Sequence, residues 1–234
     1  MMPPVPASER AEDAMLPGPA GDVPVRIFRP DGPARALFLH IHGGGWILGD
    51  PGMSDPTNEQ LSVQHGLAVV SVDYRLAPEH PYPAAPDDCE AVLAWLLDKG
   101  PSELGADRVL IGGESAGGHL ALVTALRGRD RLEAGSRLLG LDLVFGWYDL
   151  NGTPSQHGNN GLPDMLDPEG LRFMVECFTP GLSEAERRAP DLSPLFADLR
   201  GLPPCMISVG TGDHLCDDSL FLATRLAAAE VDVE

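Results

Sequence analysis

The sequence has 234 residues, 43% hydrophobic and 22% charged, the composition of an ordinary globular domain rather than a disordered or fibrous chain. Its 35 acidic residues outnumber 16 basic ones and give a formal net charge of −19. That excess repels phosphate backbones and anionic headgroups, which argues against nucleic acid or an acidic membrane as partner. The four cysteines, Cys89, Cys177, Cys205 and Cys216, show no Cys-x-x-Cys or Cys/His spacing, so neither a zinc site nor a disulfide framework is expected. Reduced thiols, an N-terminus without an apolar leader core and the lack of a membrane-length apolar run lead to the expectation of a cytoplasmic protein.

In chain order, residues 1–22 are rich in Pro, Gly and Ala, with a weak helical pattern at 8–15. Strands are predicted at 23–28, 36–41, 67–72, 108–111, 139–145 and 205–209, mostly continuous β-branched or apolar runs of the kind buried on both sheet faces. Helices are predicted between them at 57–65, 86–97, 116–127 and 217–229. In the second, Pro86 suits the first turn, and Asp87 and Asp88 favour the positive end of the dipole. Cys89, Val92, Leu93 and Leu96 then form one apolar stripe, and Gly100 followed by Pro101 reads as a stop. Alternating strands and helices with short connections imply an α/β domain with a mostly parallel sheet. Residues 150–194 break the alternation. This long segment has one amphipathic patch at 169–178 and reads as a lid or cap over a site.

Two motifs carry chemistry. Gly113-Glu114-Ser115-Ala116-Gly117 joins an apolar strand to a helix, the setting of a nucleophile elbow. A sharp turn there needs neighbours without side chains, and the following helix aims free N–H groups at the reacting atom. The plainer alternative is a glycine-rich turn with an exposed serine. His42-Gly43-Gly44-Gly45-Trp46 follows the strand at 36–41, and its bare amides suit an oxyanion. A dinucleotide loop would need G-x-G-x-x-G opening a helix, which this run lacks. His40 and His42 alternate on one strand, but no third metal ligand appears at a telling spacing.

These motifs, with DYRLAPEHPYPAAPDD at 73–88 and SPLFADLRGLPP at 193–204, resemble the hormone-sensitive-lipase-like bacterial carboxylesterases of the α/β-hydrolase fold, in order from about residue 23 to 234. The resemblance implies one α/β-hydrolase domain over 1–234, with 1–22 an abbreviated N-terminal cap segment and 150–194 a cap or lid. It implies Ser115 as nucleophile, an oxyanion hole from Gly43, Gly44 or Gly45 with Ala116, Asp213 as the triad acid, and no cofactor or metal. The triad order of this fold is Ser, Asp, His, with the family's histidine roughly thirty residues after the acid. Only twenty-one residues follow Asp213, and His214 is the sole histidine among them. The family's last strand is expected to begin at 231–234, leaving the strand at 205–209 as an open edge that would favour a homodimer. The function implied is hydrolysis of short-chain acyl esters, with Asn151, Ser155, Gln156, Asn159 and Asn160 arguing against a broad apolar surface for long chains. An amidase or deacetylase would use the same residues, and the missing histidine motivates a catalytically impaired, ligand- or partner-binding alternative.

Overall fold

The apolar runs that read as doubly buried strands form the middle of a seven-stranded sheet. In this computed structural model, which describes residues 7–158 and 166–234, β3 (Ala36–Ile41) and β4 (Leu67–Val72) pair in parallel along their full lengths. β3 pairs in parallel with β5 (Val109–Glu114), β5 with β6 (Leu138–Val144), and β6 with β7 (Cys205–Ser208). β1 (Ala11–Gly18) and β2 (Gly21–Phe28) complete the order β1-β2-β4-β3-β5-β6-β7, and β2 runs antiparallel to β4. Leu37, Leu39, Ile41, Val70, Val72, Val109 and Ile111 are essentially inaccessible, because helices shield the central strands.

The predicted helix at 8–15 is a strand. β1 pairs antiparallel with β2 from Ala11↔Phe28 to Gly18↔Gly21, and Leu16 and Val23, opposite one another, are both buried. Pro17 breaks a helix but is tolerated on an edge strand, which explains the outcome. Residues 11–22 therefore extend the sheet and do not form the cap segment expected from 1–22; residues 1–6 lie outside the described part of the chain.

The helices are α1 (Asp55–His65), α2 (Ala84–Glu103), α3 (Ala116–Arg131), α4 (Pro168–Phe178), the single turn α5 (Glu184–Arg187) and α6 (Cys216–Ala228). In α2 the predicted stripe is the buried face, with Cys89, Val92, Leu93 and Leu96 all inaccessible. The helix does not stop at Gly100. A Cβ there would lie 2.5 Å from the Leu37 side chain, so this glycine allows α2 to lie close against β3 rather than ending it.

The far edge also departs from expectation. Cys205 and Ile207 donate their amides to the carbonyls of Asp232 and Glu234, each at 2.8 Å, and Glu234 donates to Cys205 at 3.1 Å. Residues 232–234 thus begin a parallel pairing that covers the outer side of β7, so the row of bare amides that would favour an edge-paired homodimer is already in use. No helix among the described residues is long and apolar enough to cross a membrane.

The excursion over 150–194 packs onto the domain through α4, whose N-terminus is capped by the Asp167 side chain on the Gly170 amide at 2.7 Å. Leu171, Met174, Val175 and Phe178 are its buried face. Asn159 and Asn160 lie outside the described residues. The excursion is also held by charge. Arg127 on α3, only 4% exposed, binds both oxygens of Asp191 and reaches Asp87 and Glu90 on α2. Burial works to raise the Asp191 carboxyl, but hydrogen bonds from Arg127 and Tyr82 more than offset it and hold it below the usual aspartate range.

Replacing Arg127 with Ala leaves Asp87, Glu90 and Asp191 with only the half-exposed Arg131, bound to Glu90 at 2.8 Å, as a nearby cation, and should cost about 3 kcal/mol, as expected when one partner of a buried ion pair is removed. Because the folded Asp191 value is lowered, its contribution is present above the ordinary carboxylate range and lost as pH falls through the folded value. Urea unfolding should therefore show the full gap between wild type and Arg127→Ala at pH 7, narrowing below about pH 4. A gap independent of pH would assign the effect to packing alone.

Candidate active site

Ser115 sits at the single-residue joint between β5 and α3, with φ 57° and ψ −120°. For a residue with a side chain this is a strained conformation, the kind that persists only when its surroundings enforce it. The Ser115 amide donates to the Val144 carbonyl at 2.9 Å, and its carbonyl accepts from His119 at 3.1 Å. A Cβ on Gly113 or Gly117 would overlap the Ile41 carbonyl oxygen. The turn can close only because both positions lack side chains. The side chain of Ser115 is partly exposed at the C-terminal edge of the sheet.

The triple-glycine loop leaves β3 beside this turn. A Cβ on Gly43 would stand 3.4 Å from the Ser115 Cβ and 2.9 Å from the Glu114 carbonyl, so loop and elbow are in backbone contact. Gly44, Gly45 and Trp46 all have positive φ, at 114°, 59° and 62°. The Gly43 amide donates to Glu114 Oε1 at 2.9 Å. The amides of Gly44, Gly45 and Ala116 have no hydrogen-bond partner among the described residues. Of the four residues expected to form an oxyanion hole, Gly43 therefore has its donor engaged, while the other three have donors to offer.

Trp46 anchors the loop. Its indole is fully buried, stacks on Phe178 of α4 at 4.6 Å, and donates Nε1–H to His119 Nδ1 at 3.2 Å. His119 Nε2 in turn donates to the Leu192 carbonyl at 2.9 Å, which fixes the tautomer, and burial pushes this imidazole down to about 4. With both nitrogens occupied, His119 is a neutral tie between α3, the glycine loop and the excursion.

Asp213 lies beyond the end of β7, two strands from β5, on the turn leading into α6. Its Oδ1 accepts the Leu215 amide at 2.8 Å. The turn is clasped to residues 148–156. Asp218, fully buried, accepts from the Tyr148 and Asp149 amides, Thr153 Oγ1 and Gln156 Nε2 at 2.6–2.9 Å. Ser155 bonds both Asp217 and the His214 carbonyl.

No histidine side chain is bonded to the Ser115 hydroxyl among the described residues. His214 Nδ1 faces the Ser155 carbonyl at 3.2 Å, and His42 Nδ1 donates to the Gly43 carbonyl while its ring stacks on Tyr74. His40 faces Ser71, Asn58 and Glu114. The two strand histidines thus serve separate contacts and do not converge as metal ligands. Sequence reasoning missed Glu114 and Asp218. The available signal was a carboxylate flanked by glycine and serine at the end of an apolar strand, and a third aspartate in the run 213–218.

A mostly parallel sheet carrying a serine elbow, an adjoining triple-glycine loop and an aspartate two strands away is the architecture of the α/β hydrolases. The alpha/beta hydrolase fold family matches residues 38–234. The carboxylic ester hydrolase LipN of Mycobacterium tuberculosis is 36% identical over 228 residues, covering 95% of this chain and 60% of its own length. The carboxylesterase NlhH of the same organism is 40% identical over 226 residues, covering 91% of this chain and 68% of its own. A hormone-sensitive lipase from a metagenome library superposes with a TM-score of 0.81 at 35% identity, over 98% of this chain and 74% of that one. The chain belongs to the α/β-hydrolase fold family, with the hormone-sensitive-lipase-like carboxylesterases as its relatives. It spans about 60% of the length of LipN.

Because Cβ overlap with a backbone carbonyl cannot be relieved by a rotamer change, Gly117→Ala should fold poorly or lose at least about 3 kcal/mol. By contrast, Gly135→Ala, where nothing stands within 4 Å, should change stability by less than about 1 kcal/mol. Thermal melts of the two variants make the comparison.

Proposed function

We propose that this protein is a serine carboxylesterase acting on short-chain acyl esters, with Ser115 as the nucleophile. The observation that carries the reading is the strained Ser115 turn set against the unengaged amides of Gly44, Gly45 and Ala116. Ser115 Oγ attacks the ester carbonyl, and its proton passes to a general base, the role that the Ser-His-Asp scheme gives to a histidine oriented by Asp213. The carbonyl oxygen, now negative, receives the three amides, and the Ala116 amide adds the positive end of α3. Collapse of the tetrahedral adduct expels the alcohol with that proton and leaves acyl-Ser115, which water then hydrolyses.

Short chains are favoured because α4 closes over the glycine loop. Met174 occupies the space in front of Gly45 and limits the room beside the glycine loop. In this reading residues 150–194 are the lid. Four unpaired cysteines fit a reducing compartment, and we place the protein in the cytoplasm.

Ser115→Ala should abolish p-nitrophenyl butyrate hydrolysis above background without lowering the melting temperature, and wild type should turn over the C4 ester faster than the C12. Activity retained in Ser115→Ala would place the chemistry elsewhere. Because no described histidine side chain is bonded to the Ser115 hydroxyl, acylation should be slow and imidazole in solution should accelerate it. A rate on the order of 10 s⁻¹ that imidazole leaves unchanged would show that one of the chain's own histidines is the base.

A further inference from the structure

Gly43 is the first glycine of a loop whose amides are expected to bind an oxyanion, yet both of its polar groups are spent. Its N–H donates to Glu114 Oε1 at 2.9 Å. Its carbonyl accepts from His42 Nδ1 at 2.7 Å and from the Tyr74 hydroxyl at 3.4 Å. The same Tyr74 hydroxyl donates to the His42 carbonyl at 2.9 Å. Gly43 is therefore held on both sides. The residue that holds its amide is the immediate chain neighbour of Ser115.

Glu114 is itself held from behind. Its Oε2 meets His40 Nε2 at 3.3 Å, and His40 Nδ1 meets Ser71 Oγ at 2.7 Å on the adjacent strand and the Asn58 amide at 3.3 Å. His40, Ser71 and Asn58 are all buried. Burial works to raise the Glu114 carboxyl, but the bonds from His40 and the Gly43 amide more than offset it and hold the group below the usual glutamate range. A charged acceptor binds an N–H more strongly than a neutral one, so the clamp on Gly43 is a strong one. Nothing in the α/β-hydrolase framework requires a carboxylate here for the turn to form: the glycines at 113 and 117 account for that.

We propose that Glu114, backed by His40, is a positioning residue that captures the Gly43 amide and thereby presents the next two amides, Gly44 and Gly45, to the carbonyl attacked by Ser115. Three consecutive glycines have unusual backbone freedom, and a donor displaced by even a fraction of an ångström from the oxyanion loses much of its value. Trp46 fixes the far end of the loop through Phe178 and His119; Glu114 fixes the near end. Gly44 and Gly45 lie between two anchors. Glu114 does not touch the substrate in this scheme and acts only through Gly43.

The inference rests on the esterase reading, so the test separates the two. A fluorophosphonate forms a tetrahedral adduct on the active serine whose oxygen occupies the oxyanion hole, and its labelling rate at Ser115 reports those donors without requiring turnover. Glu114→Ala should label on the order of 10²-fold more slowly than wild type per folded molecule, comparable to loss of one oxyanion-hole donor. Glu114→Gln, which keeps an acceptor for the Gly43 amide, should recover most of that rate. Hydrogen exchange at the Gly43 amide should be slow in wild type and Glu114→Gln and fast in Glu114→Ala. If Glu114→Ala labels within about threefold of wild type while melting at lower temperature, Glu114 is merely structural and the proposal fails. A wild-type chain that takes no label at Ser115 even with imidazole added as base overturns the esterase reading itself, and with it the role given to the clamp.

Discussion

The contact on which the site depends is backbone against backbone. The carbonyl oxygens at the end of β3 lie against the first turn of α3, so close that Gly113 and Gly117 have no room for a methyl group. This contact sets the elbow and the glycine loop side by side, and everything polar at the site is arranged around it. Side chains alone could not achieve this proximity, because any Cβ at those positions would push β3 away from α3. The strained φ of Ser115 is the local consequence: the chain must reverse within one residue to enter a helix already pressed against β3.

Around that contact the structure uses a few buried side chains, each joining several segments. His119 lies four residues beyond Ser115 on α3 and joins Trp46 of the glycine loop to the Leu192 carbonyl of the excursion. Arg127, two turns further along the same helix, joins Asp191 of the excursion to Asp87 and Glu90 on α2. One helix therefore carries the candidate nucleophile at its start and two of the attachments of residues 150–194 along its length. Trp46 of the glycine loop meets α4 through Phe178 and residues 190–192 through His119.

What was legible in the sequence follows the same logic. The central strands 36–41 and 67–72 match their predicted bounds, since strands buried on both faces announce themselves as unbroken apolar runs. The two glycine motifs were legible as clustered residues without side chains at strand ends, although the contact that Gly113 and Gly117 permit, against the Ile41 carbonyl, is long-range. The N-terminal strand was not, because β1 is an edge strand whose pairing with β2 is decided by a partner rather than by its own pattern. The end of α2 was misjudged for a related reason: Gly100 answers to Leu37 on a distant strand, and local stop signals do not reveal such a neighbour. Glu114 and Asp218 escaped because a buried carboxylate is recognised by its donors, which come from β3, the glycine loop and residues 148–156.

The acidic excess acquires a pattern once the carboxylates are sorted by partner. Asp55 and Asp88 are buried against Arg26 and Arg75 through paired guanidinium hydrogen bonds, a geometry that arginine supplies and lysine does not. These pairs hold the frame. The turn bearing Asp213 is held differently: Asp218 is buried without a cation, among four neutral donors, and burial pushes it up to about 6 despite them. Oδ1 of Asp213 is already committed to the Leu215 amide, so Oδ2 is what remains for a histidine. Two backbone amides, a hydroxyl and a carboxamide on Asp218 fix the turn from behind, and no side-chain donor among the described residues is bonded to that oxygen. The weaker, charge-neutral clasp is the arrangement compatible with the role proposed for Asp213.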